Sequence, residues 1–363
     1  MKIRLSPNCS GIAMIIVMIV IVVLGVMAGG LAYSMKVETR LAQNGSFDSE
    51  LEWMGRSGVE LARYVISQGA ALPQEPWDSL NQKWAGGPKG TNEALAAISL
   101  VNQELGRGMF SVKITDTERK FNVNVINESI LQQALIAVGL EPSESMPIVN
   151  AFMDWRDPDD NPRMTGAESA DYIATPNPGF APYIAKNGPM DDISELRLIR
   201  GITEEMYWGP MGQQRANQAF LSPSFDSPGM MSESAGASGL VDFFTPISFG
   251  TININTASAA VLQLIPGVDS ALAQGIIRTR AGLDGADGTE DDIPFRSPGE
   301  LINVPGMHPQ FISGVQGFLG VRSYTFEVTV ETRIGGLKRQ FVALLRRNAA
   351  APRDVQIQYF HWK

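Results

Sequence analysis

Residues 12–33 read IAMIIVMIVIVVLGVMAGGLAY. The 22 residues from Ile12 to Tyr33 carry no charge, and a helix needs about 20 such residues to cross the hydrocarbon layer of a membrane. Lys2 and Arg4 precede the run, which keeps the short N-terminal end cytoplasmic and places everything after Tyr33 outside the inner membrane. A cleavable secretory signal competes with this reading. It needs a basic start, an apolar core of about 7–15 residues and a small-residue cleavage site, which Val26-Met27-Ala28 supplies. The length of the run favours an anchor, and so does the helical pattern downstream. Leu51, Met54, Gly58, Leu61 and Val65 recur at helical spacing, with Glu52, Arg56, Glu60 and Arg63 between them. The pattern predicts a transmembrane helix over 12–33 running into an amphipathic stalk over 34–70. Its apolar stripe, Leu51, Met54, Leu61 and Val65, is expected to meet partner helices.

The 363 residues suffice for two or three domains. Composition is globular, 44% hydrophobic and 18% charged, with net charge −9, and no clustered Lys and Arg marks a nucleic-acid surface. One cysteine, Cys9, excludes a disulfide framework. Two isolated histidines, His308 and His361, do not make a zinc site. P-loop, HExxH, CxxC and nucleophile-elbow patterns are absent from the sequence. Carboxylates able to cleave glycosides lie only on proline-rich loops without an aromatic platform, so no enzymatic activity is expected.

Beyond the stalk, Gln74 to Gly90 reads as a surface connection. Phe110, Val112 and Ile114 alternate, as do Phe121, Val123 and Val125, with Asp116-Thr117 between them, which predicts a hairpin. A second hairpin joins Phe326, Val328 and Val330 to Phe341, Ala343 and Leu345 through Gly335-Gly336. Isolated hairpins are marginal; two sharing one antiparallel sheet could cover the stalk. The roughly 200 residues between them carry helix punctuation: Thr256 before Ala259 to Leu262, Ser297-Pro298 with Glu300, and Asp192 with Glu195. The fold class is therefore α+β: an N-terminal transmembrane and stalk helix, an antiparallel sheet, and a large inserted all-α domain.

Within the insert, Ile254 to Met307 resembles a tandem helix-hairpin-helix, of the SAM-like kind. That motif often binds DNA phosphates through glycine amides and nearby lysines. Here Asp269 replaces its second glycine and Leu272 its lysine, and a carboxylate facing phosphate is repulsive. The alternative function, a membrane-anchored periplasmic DNA-binding module, is disfavoured, and no nucleic-acid partner is expected. Residues 154–172, DWRDPDDNPRMTGAESADY, gather six carboxylates: Asp154, Asp157, Asp159, Asp160, Glu168 and Asp171. Arg156 and Arg163 are their only cations. Such a cluster invites a hard cation with several oxygen ligands. Asp157, Asp159, Asn161 and Glu168 fall at positions 1, 3, 5 and 12 of an EF-hand count, but Pro162 replaces the obligatory glycine, which predicts an irregular Ca²⁺ site. A weaker candidate is Asp284, Asp287, Glu290, Asp291 and Asp292, where an Asx-turn loop explains the pattern nearly as well.

Gly11 followed by Ile12-Ala13-Met14 and an apolar run resembles a type IV prepilin leader. The resemblance implies that a prepilin peptidase cuts after Gly11 and methylates Ile12. Most such proteins carry glutamate at the fifth mature position; here it is Ile16. That departure resembles the K-type minor pseudopilins of type II (general) secretion. So do Asp154-Trp155, Pro162-Arg163 and Gly166-Ala167-Glu168, and Asn253 with Asn255 before the helix. The family implies structural calcium in the helical domain and a place at the tip of a periplasmic filament, the pseudopilus. It also implies I-type and J-type minor pseudopilins as partners, and a role in starting assembly for export of folded proteins. The expected organisation is leader 1–11, transmembrane helix 12–33, stalk 34–70, first part of the pilin-like body 71–125, inserted helical domain 126–320 and closing hairpin 321–363. The bulk of the chain is expected in the periplasm.

Overall fold

A computed structural model describes residues 10–72, 74–89, 93–210 and 238–362. Most of the leader, with Lys2, Arg4 and Cys9, lies outside them, as does Gly90. The chain begins with helix α1 (Ser10–Gly69), followed by α2 (Glu93–Ala96) and strands β1 (Gln103–Leu105), β2 (Gly108–Asp116) and β3 (Phe121–Asn122). Helices α3 (Glu128–Ala137), α4 (Pro142–Arg156), α5 (Ser169–Ala174), α6 (Glu204–Trp208) and α7 (Leu240–Phe243) come next. Strands β4 (Phe244–Thr245) and β5 (Ile252–Asn253) precede α8 (Ala259–Leu262), α9 (Ser270–Arg280) and α10 (Pro309–Val315). The chain closes with β6 (Leu319–Gly320), β7 (Thr325–Ile334), β8 (Leu337–Arg347) and β9 (Val355–Trp362).

The 60 residues of α1 form one helix, roughly 90 Å long at 1.5 Å per residue. From Met14 to Leu41 its large apolar side chains stand exposed, as a membrane-crossing segment requires. Its second half lies on a five-stranded antiparallel sheet of order β1-β2-β7-β8-β9. Register aligns Val112 with Val330 and Val330 with Phe341, so one cross-sheet row faces the helix. A Cβ at Gly55 would sit 2.5 Å from the Phe341 ring, and one at Gly58 would sit 2.5 Å from Val330. These two glycines let helix and sheet approach closely.

This packing corrects the expected partner stripe. Leu51, Met54 and Val65 are buried, and Leu61 half-buried, in the core shared with the protein's own sheet. An amphipathic period shows that a face is covered but not by what. The outward face carries Trp53 and Tyr64, exposed to 69% and 42%.

The second expected hairpin forms as read, β7 to β8 around Gly335 at φ +56°, where glycine relieves the left-handed strain. The first does not. β2 pairs with β7, and β3 instead pairs in parallel with β4. Phe121 and Val123 are buried in the helical core, so the insert begins just after Asp116. Asp116 and Thr117 are buried rather than exposed in a turn. The connection after the stalk is not a plain surface loop: Asp78, Asn81 and Trp84 are buried, and Trp84 packs edge-on against Phe326 at 5.3 Å. Strand β9, not anticipated, adds the far edge of the sheet after a bulge opposite Leu344 and Leu345.

Candidate cation site and helix-hairpin-helix segment

Helix α4 delivers Asp154 to its buried last turn and ends at the cap residue Asp157, whose extended backbone starts the acidic loop. Trp155, next in the helix, packs edge-on against Tyr172 and Tyr183 at 5.4 and 6.2 Å, a base that fixes the loop's two ends. Asp154 Oδ2 accepts the amide of Arg163 at 3.1 Å. A Cβ on Gly166 would collide with that same oxygen, so glycine is what admits the carboxylate here. Glu168 is buried at the start of α5; its amide donates to Asp171 Oδ2 at 3.0 Å.

Around this loop, four described residues carry buried oxygens with no hydrogen-bond donor: Asp154 Oδ1, Asp157 Oδ1, both carboxylate oxygens of Glu168, and Asn187 Oδ1. Burial, then the nearby charges of Asp154, Asp157, Asp160 and Asp159, push the Glu168 carboxyl up to about 7. Burial likewise raises Asp154 and Asp157, with Arg163 opposing from 3.5 Å at Asp154. Buried oxygens without donors are costly, and hard cations take oxygen ligands of this kind. This donor set fits calcium in chemistry. Among the described residues, however, no group of three or more acidic, histidine or cysteine side chains is arranged to hold a metal as it stands.

The other expected ligands are engaged elsewhere. Asp159 Oδ1 closes an Asx turn on Asn161 at 2.9 Å. Asp160 Oδ1 accepts from Ser169 and Asn187. Asp171 pairs with Arg200 at 3.3 Å. Arg156 does not neutralise the cluster; it donates to the carbonyls of Val123 and Ile126. Sequence reading missed Asn187 and Arg200, neither of which lies in an acidic or periodic pattern.

The weaker acidic cluster is internally satisfied. Asp287 forms a bidentate pair with buried Arg280 at 2.9 and 2.6 Å. Asp291 accepts from Thr289 and from the amides of Leu283 and Asp284, and the Thr289 hydroxyl leads in holding it down at about 2. Asp292 accepts the amides of Gly288 and Thr289, and Asp284 that of Ala286. Here the Asx-turn account suffices without a metal.

The helix-hairpin-helix signature is real in structure. Gly267 and Gly306 take φ +88° and +89° in matching Pro-Gly turns before α9 and α10. Asp269 caps α9 by accepting the Leu272 amide at 2.8 Å. The aspartate therefore occupies, with its own charge, the helix end that would face a phosphate. Helix capping was legible elsewhere too: Asp192 accepts the Ser194 amide and Glu195 the Asp192 amide. At Thr256 the reading fails, since Ser258 is the cap and the Thr256 hydroxyl goes to Asp116. At Ser297 the side chain makes no cap bond, and Glu300 accepts from Arg296 instead.

A membrane-type helix laid on an antiparallel sheet, with a helical domain inserted between β2 and β7, defines the structural class: a helix-and-sheet body with a helical insert. Within that class, the family model "Type II secretion system (T2SS), protein K" matches residues 108–208, and a helix-hairpin-helix model matches 248–320. A type II secretion system protein K from Pseudomonas aeruginosa is 26% identical over 354 residues, 93% of this chain and 89% of that protein. Its counterpart from Klebsiella pneumoniae is 28% identical over 210 residues, 54% of this chain and 59% of that protein. A solved chain from the GspK-GspI-GspJ complex of enterotoxigenic Escherichia coli superposes with a TM-score of 0.60 at 16% identity, covering 90% of this chain and 99% of that one. The chain is thus similar to type II secretion system protein K, by the family model over residues 108–208 and at 26% identity over nearly its whole length.

Proposed function

We propose that this chain is a non-enzymatic tip subunit of a type II secretion pseudopilus. A prepilin peptidase cuts after Gly11 and methylates Ile12, residues 12–33 anchor the chain in the inner membrane, and the sheet and insert lie in the periplasm. It joins I-type and J-type minor pseudopilins and starts the filament that exports folded proteins. One observation carries the tip assignment: Ile16, not an acid, stands exposed in the membrane segment of α1. A carboxylate inside a membrane needs a partner, such as the terminal amine of the subunit ahead. A foremost subunit has none ahead and does without the acid. The partner assignment is supported by the shared fold with a protein solved alongside I and J subunits.

The insert, in this reading, is stiffened by Ca²⁺ held by Asp154, Asp157 and Glu168 with the Asn187 side-chain carbonyl. Bound calcium supplies the charge that lets Glu168 stay ionised. Without it, the raised carboxyl of Glu168 stabilises the fold fully below about 4.5, and that contribution is lost as pH rises through about 7. Glu168→Gln should then differ from wild type in two respects. In chelator at neutral pH the variant is at least as stable as wild type, because a buried repulsion is gone. In calcium, wild type gains about 2.7 kcal/mol when the ion exceeds its Kd a hundredfold, and the variant loses most of that gain. Thermal unfolding with chelator and with calcium measures both; an equal calcium gain in the variant would remove Glu168 from the site.

A further inference from the structure

The insert leaves the sheet at the end of β2 and returns at the start of β7, and a network of buried polar groups closes that seam. Asp116 and Glu118 are exposed to only 1% and 0%. Glu118 accepts the amides of Phe249 and Thr325 at 2.9 and 3.1 Å. Asp116 accepts the Glu118 amide at 2.7 Å and the hydroxyl of Thr256. Asn253 donates to Asp116 Oδ2, to Ser323 Oγ and to the carbonyl of Asp78. The bonds from Thr256 and Asn253 to Asp116, and from Thr325 to Glu118, link the sheet to the insert. Asp78, also buried, faces Asp116 but is itself neutralised by Arg347, with Arg322 at 3.9 Å. On the solvent side a cleft of about 530 Å³ separates insert from sheet, and Arg119, Lys120, Asp191, Asp192, Glu327 and His361 line it. Asp116 and Glu118 are thus two carboxyls buried against each other. Their side chains hydrogen-bond each other; two ionised carboxylates in contact away from water repel strongly, and a shared proton removes the repulsion.

We propose that Asp116 and Glu118 hold one proton between them, and that this proton fastens the inserted domain to the sheet so that the attachment weakens as pH rises. Burial first, then the neighbouring Asp116, raises the Glu118 carboxyl from 4.5 to about 8. Burial raises Asp116 as well, against the hydrogen bond from Thr256. The pair's stabilisation is complete below about 4.5, falls as pH rises, and is gone above about 8.

The test is urea unfolding of the full chain in detergent across that pH range, with saturating calcium so that Glu168 stays ionised throughout. The wild-type midpoint should fall steadily to about pH 8 and then level. Glu118→Gln, a neutral isostere, should unfold with one proton fewer released and a flatter profile. An unchanged profile in a folded Glu118→Gln variant overturns the proposal. Wild-type protein supplies a second readout if the variant does not fold. Infrared difference spectra in calcium should show a protonated carboxyl stretch at neutral pH that disappears with a midpoint near about 8. Absence of that band at neutral pH overturns the proposal equally. Repeating both in a Glu168→Gln background removes the other raised carboxyl, so the readouts report the seam, and neither outcome bears on the tip assignment.

Discussion

Replacing Arg347 by methionine is expected to lower the unfolding free energy by roughly 3–5 kcal/mol, the usual effect of leaving a buried charge without its partner. Arg347 and Asp78 are both buried and meet through two bonds, Nη1 to Oδ2 at 2.6 Å and Nη2 to Oδ1 at 3.0 Å. The same guanidinium donates to the Ser323 carbonyl at 3.0 Å and lies over the Phe326 ring at 5.0 Å. Asp78 also accepts the Ser323 amide at 2.9 Å. The pair therefore ties the segment after α1 to the strand β8 and to the chain re-entering the sheet. In the methionine variant Arg322, 3.9 Å from Asp78, is left as its cation. Lysine cannot reproduce the two-pronged geometry and should restore only part of the loss. Adding Asp78→Asn to Arg347→Met should recover more, since the orphaned charge is then gone. Urea denaturation of the three variants measures this; a loss below about 1 kcal/mol for the methionine variant, the range of exposed pairs, would contradict the structural role given to Asp78.

The second large effect separates folding from assembly. Leu51→Asp should destabilise the protein by more than about 3 kcal/mol, because it places a charge in an apolar interface without a partner. Leu51 sits in the core between α1 and the sheet. Trp53→Asp, two residues away on the exposed face, should leave the unfolding curve within about 0.5 kcal/mol of wild type. That same variant should sharply reduce co-purification with the I-type and J-type subunits. Calorimetry and pull-down on the two variants check both halves. Wild-type recovery of the partners by Trp53→Asp would show that the outward face of α1 is not the contact.

The sequence carried the anchor and the closing hairpin clearly, because each rests on one local rule: an uncharged run long enough to cross a membrane, and alternation around Gly335. It misled at β3, where Phe121, Val123 and Val125 alternate like a strand. Only Phe121 and Asn122 pair, and they do so with residues 244–245 inside the inserted domain rather than with the sheet. Alternation reports burial on one side and not the identity of the neighbour. The stripe of Leu51, Met54 and Val65 misled for the same reason. Asp116 reads as a turn residue because aspartate is polar; its burial depends on Thr256 and Asn253, more than a hundred positions away. The acidic loop was legible as a cluster, but which oxygens lack donors was not. Local Asx turns and Arg200 removed Asp159 and Asp171 from the set, and Asn187 entered it through the fold alone.

Mass spectrometry of the native N-terminus tests the assignment most directly. A pseudopilin processed by its peptidase begins at Ile12 and carries one added methyl group on the terminal amine. A chain beginning near Gly29, as after removal of a secretory signal at Ala28, would lack the membrane helix and could not be a pseudopilus subunit.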